Sequence, residues 1–230
     1  MVGMLNDEAN TKLSGESTRL PATPDELVLE RLPEEIPGHR PLEIEFGTGK
    51  ARFLIESARA HPDRFFAGIE RSLAYYRVAR DRVRRAALTN VAVYRAEARL
   101  FAQWLPLESV SAFHAYFLDP WPKKKQRKRR LLDAEFLALL ARKARPGAVL
   151  RIVTDHPEYA EVIGESIREI VRNGTPWEPR PWESEPAPPP THYEIKYREA
   201  DRDFARFLLK KSPHPRPPAA PSPAGEGAGG

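Results

Sequence analysis

Residues Phe117-Leu118-Asp119-Pro120-Trp121-Pro122 run straight into Lys123-Lys124-Lys125-Gln126-Arg127-Lys128-Arg129-Arg130, which sets one carboxylate beside seven cations in eight positions. That juxtaposition makes sense when both signs face one partner. A polyanion carrying a base satisfies both: phosphates meet the lysines and arginines, and a base edge meets the Asp-Pro-Trp turn. Charge runs more commonly form solvated surface, and this one can simply lead into a helix at Asp133. Positive charge ahead of a helix nevertheless opposes the helix dipole, which argues for an anion outside the chain. Trp121 has two readings, a stacking platform worth about 1–3 kcal/mol per base or a side chain packed beneath its own loop.

The apolar run at residues 112–118 reads as a buried strand that delivers Asp119. Other short apolar runs end in the same way. Residues 41–45 carry Glu43 and Glu45 and lead into Phe46-Gly47-Thr48-Gly49; residues 65–70 end at Glu70. Residues 91–95 are followed by Glu97, and residues 148–154 by Asp155. A single acid after a strand is more often a turn former or helix cap than a ligand, and glycines there can merely make a tight turn. Acids after five strands, at equivalent topological positions, form a pattern.

The elements that must position them alternate. Helical periodicity falls at residues 50–60, 73–87, 99–104, 133–144 and 157–173, between the strands just given. Alternation of this kind implies βαβ units and a parallel sheet covered on both faces. Ligands then bind beyond the carboxyl ends of the strands, where the strand order reverses. The chain has 230 residues, room for one domain of roughly 150–200 residues with tails. The expected division is a flexible segment at 1–21, a domain at 22–211 and a disordered Pro/Ala/Gly-rich tail at 212–230. Thr23 ahead of Pro24 can cap a short helix over 23–32. Residues 176–190 are too rich in proline for helix and read as a long loop with room for an edge strand.

Hydrophobic content of 41% and charge of 30%, with a net charge of +5, suit an ordinary soluble protein with a modest basic bias. The absence of cysteine excludes disulfides, thiolate metal ligands and a cysteine nucleophile. No metal site is expected. No apolar run approaches the roughly 18–20 residues that span a bilayer, and the N-terminus lacks a signal-peptide apolar region, so a cytoplasmic location is expected.

The acids also select among cofactors. A dinucleotide calls for Gly-x-Gly-x-x-Gly opening a helix. Here Lys50, Ala51 and Arg52 follow Gly49, and two glutamates precede the turn, where they would repel phosphates. S-adenosyl-L-methionine has no phosphate. Its ribose hydroxyls, ammonium, adenine amine and sulfonium all suit carboxylates, with Glu70 placed for the ribose and Glu97 for the adenine amine.

With Leu42-Glu43-Ile44-Glu45-Phe46-Gly47-Thr48-Gly49, Gly68-Ile69-Glu70 and Asp119-Pro120-Trp121-Pro122-Lys123-Lys124, the chain resembles the bacterial tRNA (guanine-N7)-methyltransferases. The likeness continues through Val153-Thr154-Asp155 and Thr191-His192-Tyr193-Glu194 and covers residues 41–210. It implies a Rossmann-like class I methyltransferase fold, with a mostly parallel seven-stranded sheet and helices on both faces. It also implies methyl transfer from S-adenosyl-L-methionine to guanine 46 of the tRNA variable loop. Carried over by position, the resemblance assigns Glu43, Gly47, Gly49, Glu70, Glu97 and Asp119 to the cofactor, with Asp119 also catalytic. It assigns Lys123, Lys125, Gln126, Arg127, Lys128, Arg129, Arg130, Asp155, Thr191, His192, Tyr193 and Glu194 to the RNA, in a monomer or homodimer.

Two departures stand out. Glu45 replaces the family's usual glycine, which adds bulk and charge where the backbone should approach the cofactor. Glu97 stands where aspartate is common. Two other readings compete. One is an amino-methyltransferase acting on another RNA or DNA, although Trp121 occupies the second proline of the Asp-Pro-Pro-aromatic turn such enzymes use. The other is a non-catalytic RNA-binding protein on a methyltransferase-like scaffold, a reading kept open by Glu45.

Overall fold

Short apolar strands alternate with amphipathic helices along most of the chain, and the computed structural model describes residues 40–199 and 202–213. The expectations for residues 1–21, for the helix at 23–32 and for the tail beyond residue 213 lie outside the described residues. In chain order the elements are β1 (Leu42–Phe46), α1 (Arg52–Ala60), β2 (Phe65–Glu70), α2 (Leu73–Ala86), β3 (Val91–Arg95), α3 (Ala98–Trp104) and β4 (Val110–Tyr116). A 3-10 helix (Lys124–Arg129) precedes α4 (Ala134–Lys143), β5 (Ala144–Thr154), α5 (Pro157–Arg172) and β6 (Trp177–Arg180). A 3-10 turn (Trp182–Ser184), α6 (His192–Glu199) and β7 (Ala205–Lys211) complete the described chain.

The seven strands form one sheet in the order β3-β2-β1-β4-β5-β7-β6. The first five are parallel, because each connection contains a helix long enough to carry the chain back across a face. β7 runs antiparallel between β5 and β6. The order reverses between β1 and β4, so the crevice expected for a ligand opens there, and β4 is the middle strand of the seven.

The strand pleat sorts the core. Leu42, Ile44 and Phe46 of β1 join Phe113, Phe136, Ile152 and Tyr159 in the main core beneath α3, α4 and α5. On the opposite face Phe66 and Val91 pack with Leu54, Ile55 and Ala79 from α1 and α2. Phe46, Phe66, Phe101, Phe113 and Phe136 are fully buried; each contributes about 1.5–3 kcal/mol relative to exposure. No described helix is long and apolar enough to cross a membrane.

The structure moves several expected boundaries. β4 ends at Tyr116 rather than 118, because Phe117 adopts a left-handed backbone (φ 52°) that breaks the strand and turns the chain. β5 starts at Ala144, directly after α4. The proline-rich stretch does hold an edge strand: Pro179 lies in β6, whose only strand partner among the described residues is β7, where a missing N–H is tolerated. Its anchor is Trp177, fully buried, with Nε1–H donating to the Leu137 carbonyl at 2.9 Å. Trp182 of the same stretch packs on Tyr116 and Val153, and on Ala112, Val149 and Leu208. That loop therefore covers the sheet.

Candidate active site

A cavity of about 590 Å³ opens where β1, β2, β3 and β4 end, bounded also by the start of α6. Its volume falls within the roughly 300–1,000 Å³ usual for small-molecule sites. The floor is the turn after β1. Gly47 donates its N–H to the Ile69 carbonyl at 2.8 Å, which ties the turn to β2. It holds φ +69°, and an added Cβ would lie 2.5 Å from Leu118 Cδ2, so both backbone and space require glycine. Gly49 also has positive φ, and its N–H donates to Glu70 Oε2 at 3.0 Å.

Glu70 is the organising acid. Its Oε1 accepts from the Ser72 N–H at 2.8 Å, so one carboxylate clamps two loops. A carboxylate offers about four lone-pair sites, which leaves acceptor capacity toward the cavity. Burial pushes its pKa up, as does the Asp119 charge, while the backbone N–H groups pull it down. Glu97, half-buried at the head of α3, caps that helix by accepting from Leu100 N at 2.9 Å. Asp119 is exposed at the cavity wall. Gly47, Gly49, Glu70, Glu97 and Asp119, all expected at a cofactor, line this one space.

Glu43 is a correction to the expected set. It does not line the cavity: Arg64 Nη1 donates to its Oε1 at 2.6 Å, and His114 Nε2–H donates to its Oε2 at 2.9 Å. Burial by itself would raise the Glu43 carboxyl, but hydrogen bonds and charge from His114 and Arg64 outweigh it and hold it at about 2. Arg64 is the permanent cation of the group, since burial holds His114 below its ordinary value. His114 Nδ1 in turn accepts from the Tyr116 hydroxyl at 2.9 Å. Glu43 therefore acts through His114 to fix Tyr116, which does line the cavity.

Glu45 takes the place in the wall expected of Glu43. It lies opposite Gly68 on β2 and His114 on β4, 4% exposed, and accepts a hydrogen bond from the Thr48 hydroxyl. Burial lifts its carboxyl to about 8, with the Thr48 hydrogen bond lowering it and the Glu70 charge raising it. It is predominantly protonated at neutral pH. The position of its partner Thr48 depends on Gly68, where an added Cβ would lie 3.0 Å from Thr48 Oγ1 and 2.8 Å from Leu54 Cδ2.

The Asp-Pro-Trp turn is held in an unfavourable backbone. Phe117 (φ 52°) and Trp121 (φ 44°) both lie in the left-handed region, at about 1–2 kcal/mol each. Phe117 is retained by rings from Tyr193 and Phe204 at 5.8 and 5.7 Å. Trp121 neither packs under its loop nor stands free: it is half-buried at the cavity wall with the Arg129 guanidinium 4.9 Å over its ring.

The basic run divides. Lys123, Lys125, Arg127 and Lys128 are exposed, and Gln126 is half-buried on the same 3-10 helix. Arg127 pairs with Glu158 at 3.0 Å. Arg130 corrects the expectation of a continuous RNA-facing row. It is 8% exposed, donates through Nε to the Pro120 carbonyl at 2.7 Å and to Glu158 at 3.2 Å, and covers the Tyr159 ring. It ties the Asp-Pro-Trp turn to α5.

Thr191-His192-Tyr193-Glu194 opens α6 as a capping box. Thr191 N–H donates to Glu194 Oε2 at 3.1 Å, and Glu194 N–H donates to Thr191 Oγ1 at 3.0 Å. Glu194 is buried, whereas Thr191 and Tyr193 line the cavity, and His192 is the first residue of the helix. Asp155 is half-buried just after β5 and lies outside the lining. Sequence reading missed Thr48, Tyr75, Tyr116 and Lys196, which also line the space. The capping spacing of Thr191 and Glu194 was a signal for α6, and hence for Lys196 one turn after Tyr193.

The chain is similar to known methyltransferases. A family model described as putative methyltransferase matches residues 39–207. The tRNA (guanine-N(7)-)-methyltransferase of Hyphomonas neptunium is 34% identical over 165 residues, covering 70% of this chain and 73% of the relative. Proteins with the same name from Levilactobacillus brevis and Thermus thermophilus are 38% and 35% identical, covering 57% and 77% of this chain. The chain spans 64% and 57% of those two relatives, less than two thirds of their length. Among solved structures, the aminoglycoside resistance methyltransferase NpmB1 aligns with TM-score 0.53 at 19% identity, over 77% of this chain and 90% of that one. The 16S rRNA methyltransferase KamB gives 0.52 at 18%, over 81% and 99%. These shared folds are the Rossmann-like class I methyltransferase architecture. The chain belongs to the tRNA (guanine-N(7)-)-methyltransferase family.

Proposed function

We propose that, as a member of that family, the protein transfers a methyl group from S-adenosyl-L-methionine to N7 of guanine 46 in the variable loop of tRNA. The observation that carries the reading is the cavity at the β1/β4 reversal, lined by Glu70, Glu97 and Asp119 and bordered by the Lys123–Lys128 run. A cavity lined by several carboxyl groups next to its glycine turn is a poor seat for a pyrophosphate. It fits a cofactor that is a cation with ribose hydroxyls and amines. Glu70 retains acceptor sites for the ribose, Glu97 suits the adenine amine, and Gly47 and Gly49 let the backbone come close.

When bound, that cofactor supplies an electrophilic methyl group. Guanine N7 has an in-plane lone pair and no proton, so no general base is required. The task of the protein is proximity and charge. Asp119, exposed at the wall, can accept from the N1–H and N2 amine edge of guanine and favour the positive charge that develops on the purine. Trp121, propped by Arg129, and Tyr193 offer flat surfaces to the base. Lys123, Lys125, Arg127 and Lys128 meet backbone phosphates. The reading places the protein in the cytoplasm as a monomer or homodimer acting on tRNA.

The test is transfer of labelled methyl from the donor to unmodified tRNA, with the label lost when that guanine is replaced. A protein that binds the cofactor yet labels no tRNA would overturn the proposal. Glu45 in the cavity wall favours one rival, a scaffold that binds RNA without cofactor. Micromolar binding of adenosylhomocysteine by calorimetry excludes it.

A further inference from the structure

A second concentration of positive charge lies away from the Lys123–Arg130 run. Arg52, Glu56 and Arg59 recur at i, i+4 and i+7 on α1, and Arg82 and Arg85 at i and i+3 on α2, spacings that place each set on one helix face. The two faces meet along a groove of about 230 Å³ in which Glu56 is the lone acid. α2 as a whole carries Arg77, Arg80, Arg82, Arg84 and Arg85 against Asp81. Among the described residues, none of the four groove arginines has a carboxylate within ion-pairing distance, and Asp81 pairs with Arg80 at 3.6 Å.

The helix dipole accounts for part of this charge only. Arg59, Arg84 and Arg85 sit in last turns, where a cation is favoured. Arg52 is the first residue of α1, where a cation is disfavoured, and no acid stands in that first turn to offset it. Its Nε is buried without a hydrogen-bond partner among the described residues. Arg82 is turned toward the cavity end of the groove, where its Nη1 donates to the Lys50 carbonyl at 2.8 Å.

The groove adjoins the active site at Arg52. Arg52 lines both the groove and the large cavity, and Lys50 stands at the cavity wall between them. Arg129 of the basic run lines the same cavity from the β4 side. The two basic surfaces thus flank the space where a base would enter.

We propose that the α1/α2 groove is a second seat for backbone phosphates of the RNA substrate, on the opposite side of the cavity from the Lys123–Lys128 run. The proposal rests on the RNA-methylation reading above. A strand delivering one nucleotide to the cavity continues past it on both sides, and the groove receives phosphates on one side as the lysine run does on the other.

The test is an R59Q/R85Q variant of the full chain, since both side chains are exposed and neither lines the cavity. Binding of unmodified tRNA transcript is measured across salt concentrations, and adenosylhomocysteine binding in parallel. Each lost phosphate contact removes about 0.7–0.9 from the slope of log affinity against log salt. The slope should therefore fall by roughly 1.4–1.8, and affinity near 0.1 M salt by roughly tenfold or more. Adenosylhomocysteine affinity should be unchanged, and an R59K/R85K variant should keep the wild-type slope. If R59Q/R85Q matches wild type while K125A lowers the slope, the groove proposal is overturned and the methylation reading stands. If wild type neither methylates tRNA nor binds it in a salt-dependent manner, both fall.

Discussion

Replacing Glu45 with glutamine should change how stability responds to pH. Wild-type Glu45 titrates near 4.5 when unfolded and is pushed up to about 8 when folded, because burial and the Glu70 charge outweigh the hydrogen bond from Thr48. The folded state therefore holds this proton more tightly. The contribution is fully present below pH 4.5, falls as pH rises between the two values, and is gone once the folded group has ionised. Each unit of pKa difference corresponds to about 1.4 kcal/mol, so the three units from pH 5 to 8 set a ceiling of roughly 4 kcal/mol. Solvent reaching the group through the cavity reduces this. In a domain of this size about 1 kcal/mol moves Tm by roughly 2–4 °C, so even a third of the ceiling is measurable. Thermal melts of wild type and Glu45→Gln from pH 5 to 9 are the assay. Wild type should lose several degrees relative to the variant as pH rises to 8. Parallel curves would refute the reasoning, since the carboxyl would then be ionised in the fold throughout.

Asp119→Ala should lower turnover on tRNA by about 10²–10³, the scale of losing one preorganised electrostatic contact, measured with both substrates saturating; unchanged turnover removes Asp119 from the chemistry. Glu70→Ala deletes the acceptor for two backbone N–H groups as well as the proposed ribose contact, and adenosylhomocysteine affinity by calorimetry should fall roughly 10- to 100-fold. Lys125→Ala and Arg130→Ala should behave oppositely despite lying in one run. Lys125→Ala keeps its Tm and loses about 0.7–0.9 from the tRNA salt slope. Arg130→Ala leaves buried partners unsatisfied, should cost about 1–3 kcal/mol and lower Tm by several degrees. A stable Arg130→Ala with a reduced slope would show that its side chain does reach RNA.

Element types and order were legible because they depend on local periodicity. Runs of apolar residues and helical spacings along residues 41–173 yield β1 to α5 with boundaries mostly within two residues, and the parallel topology then places Glu70, Glu97 and Asp119 along one edge. The Thr191–Glu194 match pointed to a site but concealed a capping box, because reciprocal side-chain to backbone bonds have the same sequence signature whether or not a ligand is near. β7 and α6 were not assigned because neither has a strong periodic signal of its own; β7 is specified by pairing with β5 and β6.

The identity of each acid was in the sequence, but its employment was not. Glu43 and Glu45 are two residues apart on one face of β1, separated by about 6–7 Å along the strand. That distance puts Glu43 against Arg64 and His114 and leaves Glu45 at the cavity wall. Arg129 and Arg130 are adjacent in the same charged run, yet one lies over Trp121 at the cavity and the other is buried against Glu158 and Tyr159. Composition and spacing determine which charges exist and on which element they ride. Burial and the partners that meet each charge are set by other chain segments, from the Trp121 turn before Arg129 to His114 on β4 opposite Glu43, and only the packed tertiary structure brings those together.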